Sequence, residues 1–253
     1  MQRFRWMAAL AALMYVMGMP AFAQDTKADD TREVAALRKL LETRFPGAQI
    51  GLVAKSPYLE LYEAQLDDRL IYTDAKAVYV FVGSIYDSVG HVNLTDLRMR
   101  ELNRIDVATL PLDIALKKVK GDGSRKLYVF ADADCPFCKR LESEMKGLDN
   151  VTIYTFLFPI DSLHPDSARK SARIWCAADR NKAWDEWFDS GKLPSNKGDC
   201  ATPIAQTAAL GQKYHVNATP TLVFADGSVI PGALPLAQLE GELKQAEAKA
   251  PKK

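Results

Sequence analysis

The spacing of apolar positions changes several times along the chain, and each change marks an element. Val34, Leu37, Leu40, Leu41 and Phe45 recur at helical spacing behind Asp30-Thr31-Arg32-Glu33, which has capping-box form, and Pro46-Gly47 stops the run. From Ile50 to Asn93 the period falls to two. Candidate strands there are Tyr58–Gln65, Leu70–Thr73, Val78–Val82 and Ile85–Asp87, parted by Asp67-Asp68, Asp74 and Gly83. Thr95 to Ala108 turns helical again, with a Thr cap and a thin apolar face of Leu97, Leu102 and Ile105, closed by Pro111. So polar a helix bridges domains rather than filling a core.

Beyond it, Ile114–Val119 predicts a strand and Gly121-Asp122-Gly123 a turn. Leu127–Ala131 is a short apolar run that reads as a buried central strand, although a buried helical turn matches over so few residues. Val151–Phe158 predicts the next buried parallel strand, and Pro165 to about Cys200 a polar, helical insertion. Pro203–Tyr214 reads as a helix and Val216–Phe224 as the lead into a strand. Asp226-Gly227 is a hairpin turn whose return is Val229–Gly232, and Leu236–Ala248 is a closing amphipathic helix.

Length and charge narrow the picture. The stretch from the first helix to Asn93, about 70 residues with one helix and a few strands, is marginal alone and is expected to pair with its own copy. The alternative is a lobe folded onto the rest of the same chain. The 253 residues carry a net charge of +1, with both signs spread along the chain, which excludes a nucleic-acid footprint. Arg3 and Arg5 precede an apolar run from Trp6 to Met19 and then Pro20-Ala21-Phe22-Ala23, so residues 1–23 read as a cleaved export signal, against an uncleaved anchor. Four cysteines in an oxidising compartment form an even number that can pair.

The candidate chemistry lies in Asp132-Ala133-Asp134-Cys135-Pro136-Phe137-Cys138, between the apolar run and a helical pattern bearing Leu141 and Met145. Cys135 falls where that helix begins, with Pro136 at its first position, where a missing N–H costs nothing. Unpaired N–H groups and the helix dipole favour the thiolate, so an ionised, exposed sulfur is expected at Cys135. Lys139 and Arg140 add positive charge. Cys138 lies on the same face but deeper, placed to attack a mixed disulfide at Cys135. Zinc sites share the C-x-x-C spacing, but they want a second close ligand pair, and Cys176 and Cys200 are far apart. Asp132 and Asp134 read as a solvated turn, the alternative being that they raise the pKa of Cys135. His91, His164 and His215 are scattered and read as surface or turn residues. Trp175, Trp184, Trp187 and Phe188 read as core of the insertion. No cofactor and no metal are expected.

Strand, C-x-x-C and helix together resemble a thioredoxin-like redox site, and the wider chain resembles the periplasmic disulfide isomerases of the DsbC/DsbG family. Three stretches carry the likeness most clearly: Leu127–Leu141, Ile174–Trp184 and Ala218–Phe224. The resemblance implies a mixed α+β and α/β architecture. A small dimerisation domain (24–93) would be followed by a linker helix (94–111) and a thioredoxin-like catalytic domain (112–253) with a helical insertion at about 162–202. It implies a structural disulfide between Cys176 and Cys200, a feature of the DsbC branch, and a cis Thr219–Pro220 bond facing the cysteines. Substrate contact is implied at Thr219, Pro220, Pro136 and Phe137.

A periplasmic homodimer would rearrange wrong disulfides in misfolded exported proteins, be kept reduced by a DsbD-type membrane electron donor, and act as a chaperone. Alternatives are a DsbA-type oxidant, a DsbG-like reductase of sulfenic acids, and a holdase whose thiols are incidental. Two departures bear on this. The buried acid that thioredoxins carry six residues before the first cysteine is here Val129, and Pro136-Phe137 lacks the histidine of strongly oxidising relatives.

Overall fold

A computed structural model describes residues 22–67 and 69–249 of the chain. The chain divides into two compact units, residues 1–83 and 84–253, and each is described by itself. Apart from Phe22 and Ala23, the export-signal reading lies outside the described residues. No described helix is long and apolar enough to cross a membrane.

The first unit opens with helix α1 (Phe22–Arg44), followed by strands β1 (Ile50–Lys55), β2 (Tyr62–Leu66), β3 (Arg69–Thr73) and β4 (Val80–Val82). The helix runs through Asp30 rather than starting there, because no glycine or proline interrupts Gln24–Asp29. The strands form one antiparallel sheet in the order β1-β2-β3-β4. Leu37 and Leu41 are fully buried against Val53, Tyr62, Ala64 and Ile71, while Leu40 lies at the edge of that face. Two strand expectations need correction. Tyr58–Leu61 is a turn, in which Leu59 and Glu60 adopt positive φ, so β2 begins only at Tyr62. β1 is not among the expected strands, and its pairing with β2 shifts register between Ile50 and Val53, which interrupts the two-residue alternation.

The second unit begins with a hairpin, β5 (Tyr86–Asp87) and β6 (Val92–Asn93), that leads into α2 (Leu94–Leu102). Asn93, not Thr95, caps this helix, its side chain accepting from the Asp96 N–H. The helix ends at Leu102, short of the expected Ala108. Ile105 is instead buried, and its N–H donates to the Gly227 carbonyl at 2.9 Å. Gly227 has φ +84°, and any Cβ there would strike the Ile105 oxygen, so the turn requires glycine.

The remaining elements are β7 (Leu116–Lys120), β8 (Arg125–Ala131), α3 (Pro136–Met145), β9 (Val151–Leu157), α4 (Ser167–Trp175), α5 (Arg180–Ser190), α6 (Ile204–Lys213), β10 (Thr221–Phe224), β11 (Val229–Pro231) and α7 (Leu236–Lys249). The sheet runs β11-β10-β8-β9-β7, with β8 and β9 parallel at its centre and the other pairs antiparallel. Both faces are covered, which is why β8 and β9 are apolar without alternation. Leu127, Val129 and Ala131 pack with α3, α7 and the insertion helices, whereas Tyr128 and Phe130 pack with Phe156, Phe158, Leu210 and Val216. The architecture is mixed α+β and α/β, with α4 and α5 inserted between β9 and α6. Trp175, Trp184 and Phe188 are buried in this insertion and Trp187 is partly buried. Cys176 and Cys200 are joined as a disulfide.

Candidate active site

The C-terminal end of β8 delivers the chain to the top of the sheet, and α3 starts four residues after Asp132. Cys135 is the N-cap of α3, with extended backbone angles, and Pro136 occupies the first turn. Helical spacing sets Cys138 one turn deeper; both thiols are free. Cys138 is 1 % exposed. Cys135 is itself only 4 % exposed, which corrects the expectation of an open sulfur: it is packed into the same apolar cluster as Cys138, beneath Thr219. The exposed group at this end is the Phe137 side chain, 58 % accessible.

The Thr219–Pro220 peptide bond is cis. It brings the Thr219 carbonyl to 3.3 Å from Cys135 Sγ, where the thiol donates to it. Pro220 is held in turn, its carbonyl accepting from the Gly232 N–H at 2.7 Å.

The two sulfurs titrate in opposite directions. A hydrogen bond from the Cys138 thiol is the largest influence on Cys135. With burial opposing it, and the Thr219 hydroxyl and the amides of Cys138 and Phe137 assisting, the Cys135 thiol comes down to about 5. The bond to the Thr219 carbonyl exists only in the thiol form and works against ionisation. Cys138 is pushed upward, first by burial and then by donating to Cys135, with the Asp132 amide as the main counterweight. Such a pair can offer a nucleophile from one sulfur and a proton from its neighbour.

Asp132 is not a solvated turn residue. It is fully buried, and its carboxylate gathers donors from segments distant in sequence. Oδ1 accepts from the Asp134 N–H at 2.7 Å and the Ser167 hydroxyl at 2.5 Å. Oδ2 accepts from the Ile160 N–H at 2.7 Å and lies 3.0 Å from His164 Nδ1. His164 is therefore half-buried against a carboxylate rather than a free surface residue, while His91 and His215 are exposed turn residues at positive φ. Asp134 forms an ion pair with Lys170, whose ammonium lies 4.9 Å from the centre of the Trp187 ring. Trp187 Nε1 donates to the Ala133 carbonyl at 2.5 Å. The only sequence sign of these roles is the Asp-x-Asp spacing that lets one carboxylate cap the amide two residues on.

A second acid, Glu142, lies on α3 itself and is partly buried. Glu142 accepts from Trp184 Nε1 at 2.7 Å beside a cavity of about 150 Å³ lined by Lys118, Lys120, Asp185 and Asp189. Burial pushes its carboxyl up to about 7, with the Trp184 bond and the Lys118 charge pulling the other way.

Comparison with known proteins agrees with this geometry. Residues 112–247 match the family described as thioredoxin-like domain, and residues 22–96 match the disulfide bond isomerase protein N-terminal domain. The chain is 40 % identical over 223 residues to a probable thiol:disulfide interchange protein DsbC of Bordetella pertussis, covering 88 % of this chain and 76 % of that protein. It is 26 % identical over 222 residues to the thiol:disulfide interchange protein DsbC of Escherichia coli strain K12, covering 86 % and 88 %. Among solved structures, a disulfide interchange protein from Neisseria gonorrhoeae matches with a TM-score of 0.53 and 45 % identity, over 56 % of this chain and all of that one.

Proposed function

The chain belongs to the DsbC family of thiol:disulfide interchange proteins and is a disulfide isomerase and oxidoreductase; on that premise we propose that Cys135 opens wrong disulfides in exported proteins and Cys138 resolves the mixed disulfide. The observation that carries these roles is the placing of two free thiols one helical turn apart, Cys135 at the N-cap of α3 beside Thr219 and Cys138 sealed behind it, a setting that draws the first thiol down and pushes the second upward. At neutral pH Cys135 is a thiolate and attacks one sulfur of a substrate disulfide, leaving a mixed disulfide and a substrate thiolate. Isomerisation follows when another substrate thiol attacks and frees Cys135. Reduction follows when Cys138 attacks instead. The cis Thr219–Pro220 segment beside Cys135 supports binding of an extended substrate strand, and exposed Phe137 supports an apolar contact next to the reacting sulfur.

The proposal extends to the rest of the chain. Residues 1–23 serve as a periplasmic export signal, residues 24–93 as the dimerisation domain and residues 94–111 as the linker. Exposed Val78, Tyr79, Phe81 and Val82, on and beside edge strand β4, support a homodimer. A DsbD-type membrane donor returns the pair to the dithiol, and the paired catalytic domains hold unfolded chains.

Refolding of scrambled-disulfide ribonuclease tests the reading. Wild-type protein restores ribonuclease activity and Cys135→Ala does not. Undiminished rescue by the variant overturns thiol catalysis and leaves a holdase.

A further inference from the structure

We propose that Asp132 is the positioning residue for the resolving step, its buried carboxylate aiming its own backbone N–H at the Cys138 sulfur. This rests on the reading of Cys138 as the resolving thiol. The main chain of Asp132 touches both cysteines: its carbonyl accepts from the Cys135 N–H at 3.2 Å, and its N–H lies 3.4 Å from Cys138 Sγ as donor. Its carboxylate fastens it to the segment after β9 and to the start of α4, through Ile160, His164 and Ser167. A buried carboxylate is costly unless its acceptor sites are filled. Here each oxygen takes two donors, one of them a backbone N–H, so residue 132 has little freedom to turn.

The consequence falls on one sulfur. To resolve, Cys138 gives up its proton and attacks Cys135 Sγ of the mixed disulfide. The Cys135–Cys138 bond forms, the bond from Cys135 to the substrate sulfur breaks, and the leaving thiolate takes up the proton. The substrate gains the two electrons that the dithiol loses. Negative charge develops on Cys138 in an apolar cluster, and a fixed donor aimed at that point stabilises it without reorganisation. Cys135 draws its stabilisation from Cys138, Thr219 and the helix amides instead, so Asp132 governs the second step and not the first.

Asp132→Asn is a sharp probe. Because each carboxylate oxygen accepts a backbone N–H, either orientation of the amide points its NH₂ at a backbone donor. In the full-length protein, quenched-flow trapping with a disulfide peptide separates formation of the mixed disulfide from its resolution. We expect resolution to slow about tenfold in Asp132→Asn, as for loss of a hydrogen bond to a charged group, with the first attack changed less than about twofold. Thiolate absorbance, titrated with and without Asp132→Asn, should move upward for Cys138 in a Cys135→Ser background and stay for Cys135 in a Cys138→Ala background.

Equal slowing of both steps, or of neither, overturns the proposal. Ser167→Ala removes one donor and spares the backbone contacts; if Asp132→Asn does not fold, a selective slowing of resolution there supports the proposal and an unchanged rate overturns it. Wild-type protein that forms no mixed disulfide at Cys135 would instead overturn the functional reading itself.

Discussion

The sulfur of Cys135 lies 3.3 Å from the main-chain oxygen of Thr219, a residue 84 positions further along the chain. The contact joins the start of α3 to the cis bond that opens β10, a strand that pairs antiparallel with β8, from which α3 follows. It sets a hydroxyl and a carbonyl beside one sulfur, with opposite effects on its proton.

That arrangement predicts the pH dependence of alkylation. Cys135 has its thiol lowered to about 5, so iodoacetamide should modify it with a midpoint near that pH and at a plateau rate by pH 7. A midpoint in the ordinary thiol range would contradict the geometry. The linkage has a matching sign: the lowered thiol stabilises the reduced protein at and above its ordinary range, and that stability drains away as pH falls through about 5.

Thr219→Val keeps the branched shape and removes the hydroxyl that helps hold the Cys135 thiolate. The alkylation midpoint should rise, and the rate at pH 5 should drop by about threefold, the scale of one weak hydrogen bond. The Thr219 main-chain oxygen that meets Cys135 is kept in this variant and the side-chain volume is nearly unchanged, so circular dichroism and the unfolding midpoint should match wild type.

Glu142 predicts a slope in stability. Its carboxyl is raised to about 7 by burial, so folding takes up a proton between the ordinary glutamate range and pH 7. The contribution is full at low pH and is lost as pH rises through 7. Glu142→Gln can still accept from Trp184 Nε1 but cannot ionise. Urea unfolding should therefore show the variant near wild type at pH 5 and about 1–3 kcal/mol more stable at pH 8. Parallel curves at both pH values would show that Glu142 stays ionised.

The Cys176–Cys200 disulfide closes a separation of 24 residues around α5. Replacing both cysteines by alanine should cost about 3–4 kcal/mol in the chain-entropy account, read as a lower denaturation midpoint. Alkylation of Cys135 should be unchanged at temperatures where the variant stays folded.

Phe81 lies on edge strand β4 and is 53 % exposed. If β4 meets its own copy, Phe81→Asp should convert a dimer into a monomer in sedimentation, while single-turnover attack by Cys135 on a small peptide disulfide stays at the wild-type rate. A wild-type monomer would remove the dimer from the proposal.

What the amino-acid sequence determined by itself is the local machinery. The apolar run of β8, a proline tolerated in the first turn of α3, and a second cysteine one helical turn away are all short-range, because strand period, cap chemistry and helical spacing act within a few residues. The same locality placed the elements well and their ends less well: short of Ala108, the bond from Ile105 to the distant Gly227 accompanies the end of α2, which helical spacing alone carries on.

Only the tertiary structure decided which polar residues are interior. Asp132 reads as a turn acid until Ile160, His164 and Ser167 close over it, and nothing in the sequence marks Glu142 before Trp184 is brought against it. No periodicity records such meetings, since a carboxylate is buried when donors from distant segments fill its oxygens, and those donors are brought together by the sheet order and not by the spacing along the chain.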